Sequence, residues 1–126
     1  MTHFEEVRRH DGELEGFVRR TGIDSFEACT VFHGLLASGR TDEEARQIVH
    51  ARGLSSMAER WYWLSRQSGT WSVVLPQEVR PGSVRVSVGY YALPGVPLCV
   101  VTAEDLEQGD LLTLEPPDAP IAGLPG

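Results

Sequence analysis

Residues 41–53 constrain the fold most. Thr41-Asp42-Glu43-Glu44 sets a hydroxyl three residues ahead of a glutamate. Thr41 can therefore accept from the Glu44 amide while Glu44 reaches back, and three acids suit the positive end of a helix dipole. Ala45, Ile48 and Val49 recur at helical spacing as a buried stripe, and Gly53 is a residue that stops helices. The expectation is a capped helix over 41–52 and a tight turn. Ser55 or Ser56 then caps another helix, with Glu59 three past Ser56. Over 56–67, Met57, Ala58, Trp61 and Leu64 share one face, and Arg60, Trp63, Arg66 and Gln67 fall on others.

A hairpin follows. Trp71–Leu75 reads as a strand. Ser83–Val88 alternates valine with Ser83, Arg85 and Ser87, the signature of a half-buried strand. Pro81-Gly82 is a strong turn pair inside a connection expected over 76–82. Upstream, Phe4, Val7, Leu14, Phe17 and Val18 recur at roughly helical spacing, and His10-Asp11-Gly12 divides them into two short helices. Asp24-Ser25-Phe26-Glu27 reads as a capping box for a helix over 25–38 that buries Phe26, Cys29, Phe32, Leu35 and Leu36 and stops at Gly39. Downstream come a strand at Leu98–Val101, one helical turn at Ala103–Leu106 and a last strand at Leu111–Leu114.

These readings give an α+β fold: four to five helices in the N-terminal part, then a small antiparallel β part. The expected organisation is a helical arm over 1–24, a core over 25–91, a β extension over 92–115 and an irregular, proline-rich tail over 116–126.

Charge is distributed unevenly. The chain of 126 residues has a net charge of −7, and all eleven of its bases are arginine. Residues 40–91 carry seven arginines against five acids, whereas residues 92–126 carry six acids and no base. Two cysteines make no disulfide framework and point to a reducing compartment. No apolar run approaches the ~20 residues of a bilayer span. The first residues lack the basic and apolar regions of a signal peptide, so a cytoplasmic protein with no membrane partner is expected.

Catalytic signals are sparse. Cys29 and His33 would share a helix face at a spacing of four. Zinc needs three or four such ligands, and a cysteine nucleophile needs an orienting acid. Neither is in view, so core packing is the favoured role for Cys29. His3, His10, His33 and His50 are scattered, and no phosphate-cradling glycine loop is present. The expectation is a protein that is not an enzyme and holds no metal or cofactor.

The order helix, helix, tight turn, helix, hairpin over residues 25–88 resembles the winged helix-turn-helix family. That resemblance implies duplex DNA as partner, with 56–67 as the helix that enters the major groove and 76–82 as the wing tip. Arg60 and Arg66 would contact bases or phosphates beside Ser55, Ser56 and Gln67, and Arg80 and Arg85 would serve the wing. A second reading stands beside it: an acidic protein-interaction or regulatory module, such as an adaptor, an inhibitor or a phage-type accessory protein, that binds a protein partner or a second copy. Trp61-Tyr62-Trp63 cannot all face inward from one helix, which makes Trp63 the residue expected at such an interface.

Overall fold

Strand chemistry, not helical spacing, decides the first forty residues. The computed structural model describes residues 4–91 and 95–122; His3 and the last four residues of the tail lie outside them. Four consecutive antiparallel strands open the chain: β1 Phe4–Arg8, β2 Leu14–Gly22, β3 Ser25–Cys29 and β4 Leu35–Arg40. Helix α1, Asp42–Arg52, follows. A 3-10 turn at Ser55–Ala58 leads into β5 Trp61–Leu64, β6 Trp71–Arg80, β7 Ser83–Val88 and β8 Leu98–Thr102. Helix α2, Ala103–Glu107, precedes β9 Leu111–Thr113 and β10 Ile121–Ala122.

All ten strands form one sheet in the order β1-β2-β3-β4-β9-β5-β6-β7-β8, and β10 adds parallel to Trp71 and Ser72 of β6. The expected four to five helices and small β part are thus corrected to a mixed sheet with two helices among the described residues. The winged-helix-like core over 25–91 goes with them, because two of its three helices are absent.

The physical reason differs between segments. Over 25–38, Ala28, Cys29, Thr30, Val31 and Phe32 are consecutively buried. An unbroken buried run carries neither helical nor strand periodicity: Ala28 and Cys29 end β3, and Thr30, Val31 and Phe32 are buried in the turn to β4. Over 56–67 the aromatic triplet cannot be accommodated on a helix, but a strand sends neighbours to opposite faces. Trp61 is fully buried, while Tyr62 and Trp63 are only half-buried. Over 1–21, Phe17 and Val18 lie on opposite faces of β2, so their apparent helical stripe is coincidental.

Local signals read correctly where they are short-range. Thr41 caps α1, accepting from the Glu44 amide at 3.1 Å while Glu44 accepts from the Thr41 amide at 3.1 Å. The hairpin of β6 and β7 is present, but its turn is only Pro81-Gly82, and Pro76 lies inside β6 opposite Val86 beside an irregularity in the register. Gly53 ends α1 in right-handed helical geometry. It is glycine because a Cβ there would sit 2.3 Å from the Glu15 carbonyl oxygen, where β2 passes underneath.

Helix α1 lies across β1–β4, burying Ala45 and Val49 against Val7, Val18 and Ala28. The second half of the sheet curls back: the Gly82 amide at the hairpin tip donates to the Val31 carbonyl at 2.9 Å. The expected wing tip is thus tied to the turn between β3 and β4. Where the halves meet, Phe32 and Trp61 stack edge to face at 5.3 Å, and the Trp61 indole N–H donates to the Ser56 carbonyl at 2.9 Å. Gly34 lets them close, since a Cβ there would stand 2.6 Å from Phe32. Replacing a fully buried tryptophan by alanine costs about 3–5 kcal/mol, so Trp61→Ala should lose that much stability in urea unfolding followed by circular dichroism.

Candidate functional site

Alternation along the first strands sends Val18 and Ala28 toward α1 and leaves Phe17, Arg19, Glu27 and Cys29 on the opposite face. No helix covers that face fully. A cavity of about 450 Å³ lies there, floored by Phe4, Arg19, Glu27, Cys29, His33 and Leu35 and walled by α2 and β9 through Leu106, Glu107, Asp110, Leu111 and Leu112. This volume is within the range of ligand-sized pockets.

Four groups define its chemistry. Arg19 and Glu27, opposite each other on β2 and β3, form an ion pair. Arg19 also stands 5.8 Å over the Phe4 ring, while its Nε is buried without a partner. Phe4 stacks on His33 at 4.1 Å, and Phe17 meets His33 edge-on at 5.0 Å. His33 adopts a left-handed backbone, φ 67°, which a non-glycine residue accepts only at some cost. The Thr30–Gly34 turn holds it there: the His33 amide donates to the Thr30 carbonyl at 3.0 Å and the Gly34 amide to the Thr30 hydroxyl at 3.0 Å.

Burial lowers the His33 pKa below its usual value, against an opposing pull from Glu107. The imidazole is therefore neutral near pH 7, with one donor and one acceptor nitrogen. Burial, with Glu27 adding to it, pushes the Cys29 thiol up to about 12. Cys29 and His33 do line one cavity, from a strand and a turn instead of a helix, but a thiol so protonated is no nucleophile at neutral pH. Among the described residues no group of three or more His, Cys, Asp or Glu is placed to hold a metal ion, and no helix is long and apolar enough to cross a membrane.

The residues singled out from the sequence are scattered. Ser55 sits exposed in the 3-10 turn with its hydroxyl on the Ala51 carbonyl at 3.4 Å, and Ser56 is buried with its hydroxyl on Gly53 at 3.2 Å. Arg60 donates to the Tyr90 carbonyl at 2.7 Å and stacks 3.8 Å from that ring. Gln67 is in the exposed turn after β5. Arg80 and Arg85 converge on Glu78, at 2.8 and 3.5 Å.

Only Trp63 and Arg66 are brought together near the cavity, and the residue that gathers them is Asp110. Trp63 donates its indole N–H to Asp110 at 3.0 Å. Arg66 donates both its amide and its guanidinium to the same carboxylate, each at 3.0 Å. Asp110, only 4% exposed, has no local sequence signal, and Phe4 and Glu27 read from the sequence only as helix residues, in an amphipathic stripe and a capping box. The spacing of Arg19 and Glu27 becomes a signal once both segments are recognised as a hairpin.

No protein-family model, curated protein or solved structure matches the chain. Its functional reading therefore rests on geometry and charge.

The His33 shift has a testable consequence. Its folded pKa lies below the unfolded value near 6.5, so the unfolded chain binds more protons in that window and stability rises with pH. His33 thus contributes stability above pH 6.5 that is lost on acidification through its folded pKa. Unfolding midpoints between pH 7 and pH 5 should fall in the wild type. They should fall less steeply in His33→Asn, a substitution that tolerates the left-handed backbone.

Proposed function

We propose that this chain is an acidic, non-enzymatic protein-interaction module that takes a basic, apolar-flanked segment of a partner protein in the cavity of Arg19, His33 and Glu107. The observation that carries this reading is the pairing of its arginines. Eight of the eleven already hold a carboxylate of the same chain: Arg8, Arg9, Arg19, Arg46, Arg52, Arg66, Arg80 and Arg85. Among the described residues, Glu104, Glu107, Glu115 and Asp118 hold no arginine or histidine. The field beyond the surface is therefore acidic where α2 and the following segment stand, and most of its positive charge is cancelled internally.

The cavity suits the same class of partner. Glu107 gives its wall an uncompensated carboxylate, while Phe4, Leu35, Leu106 and Leu111 give it apolar area. An arginine or lysine flanked by aliphatic residues satisfies both. Duplex DNA, by contrast, would compete with the chain's own carboxylates for Arg66, Arg80 and Arg85, and would approach a molecule of net charge −7.

Fluorescence anisotropy separates the two partners. Labelled peptides carrying a basic residue between apolar ones should bind, more weakly as salt rises from 50 to 300 mM. Glu107→Gln should weaken them about two- to fivefold, the range of one partly exposed ion pair. Tight binding of labelled duplex DNA that is lost in Arg66→Ala or Arg85→Ala, with no peptide bound, would overturn the proposal.

A further inference from the structure

Among the described residues the strand order ends at β1 and β8, and these two edges are chemically opposite. Edge β1 carries Glu5, Glu6 and Arg8 and a register irregularity at its end, the usual protection against unwanted pairing. Edge β8, Leu98-Cys99-Val100-Val101-Thr102, carries no charge, no proline and no bulge. Its outer side chains are Leu98, 57% exposed, and Val100, 54% exposed.

The backbone of β8 is open on the same side. The Val88 amide donates to Pro97 at 3.2 Å and the Ala103 amide to Gly82 at 2.8 Å. Hydrogen-bonded pairs alternate along an antiparallel ladder, so Cys99 and Val101 bond into β7. Leu98, Val100 and Thr102 therefore aim their amides and carbonyls away from β7. The Thr102 amide is taken by the Asp105 carboxylate at 3.0 Å. Among the described residues, both backbone groups of Leu98 and of Val100 pair with no other strand.

We infer that β8 is the pairing edge for a second copy of this chain, related by a two-fold axis through Cys99. In that register Leu98 of each copy faces Val100 of the other, and four N–H···O bonds satisfy both groups of both residues. Each exposed apolar side chain then lies against another on the outer face. A shift of one residue, centred on Val100, would set Leu98 against Thr102 and leave the Leu98 carbonyls without donors.

Charge on the edge itself does not oppose this occupant. A copy with net charge −7 approaches through a strip that has no charge, and the nearest one, Arg85 beside Val100, is 3.5 Å from Glu78. Edge β1 has no such uncharged strip, because Glu5, Glu6 and Arg8 stand on it. A single five-residue edge buries less than the ~1,200 Å² of a stable standard interface, so the dimer is a weak one that depends on concentration.

The two-fold axis sets the Cys99 residues of the two copies across a non-hydrogen-bonded pair, where Cα atoms approach to about 4.5 Å, within reach of a disulfide. Cys29 is buried and cannot substitute. The test combines sedimentation with mild oxidation of the full chain. The expected result is a monomer–dimer equilibrium shifted by protein concentration, and a dimer band on non-reducing gels that persists in Cys29→Ser and disappears in Cys99→Ser. Val100→Glu and Leu98→Lys, both on the exposed face, should each abolish the dimer without changing the circular dichroism spectrum. A monomer at every concentration up to the millimolar range would overturn the inference, as would a dimer unaffected by both folded variants or a cross-link that depends on Cys29.

Discussion

Strand β9 holds the molecule together. It is only three residues long, yet it is inserted between β4 and β5 and is the joint between the two meanders of the sheet. On one side Leu35 lies beside Thr113, and the Leu114 amide donates to the Leu35 carbonyl at 3.0 Å. On the other, Leu111, Leu112 and Thr113 pair with Leu64, Trp63 and Tyr62. Such a short strand gains little from its own ladder. Asp110, directly before it, adds a three-bond attachment to Trp63 and Arg66, and charge-assisted bonds of this kind are the stronger ones. Burying that carboxylate is tolerable only because it is so fully bonded.

The same joint creates the cavity. With β9 in place, the preceding helix α2 stands across the cavity from the face of β1–β4 that α1 does not cover, and Leu106 and Glu107 form its wall. Its capping box, Thr102 with Asp105, also occupies the last outward amide of β8. One short segment, residues 102–114, therefore closes the sheet, shapes the pocket and delimits the free edge. The acidity of the C-terminal third acquires a location in this way. Glu104 and Glu107 stand on α2 beside the pocket, while eight of the eleven arginines are occupied by other carboxylates of the chain.

What was legible in the sequence depended on range. The Thr41–Glu44 capping box, the valine alternation of Val84, Val86 and Val88 and the Pro81-Gly82 turn are complete within a few residues, and each is present. The segments over 1–38 and 56–67 depend on partners elsewhere. The Ala28–Phe32 run is buried from both sides, so it has no period, and a strand as short as Trp61–Leu64 is defined by β6 and β9. Trp63 and Arg66 could be picked out as unusual, but their common partner Asp110 stands 44 residues beyond Arg66, where no spacing rule reaches. The left-handed backbone of His33 was equally hidden, because histidine in that conformation has no sequence signature as plain as glycine.

The dependence of the sheet on this joint can be read most directly by amide hydrogen exchange in the wild type and in Asp110→Ala. Losing a buried, charge-assisted attachment of this kind is expected to open β9 by at least ~1.4 kcal/mol, a tenfold change in exchange. The amides of Leu112, Thr113 and Leu114 should therefore lose at least that much protection, together with those of α2, while α1 and the β6–β7 hairpin keep theirs. Equal protection of β9 in the two proteins would contradict the account.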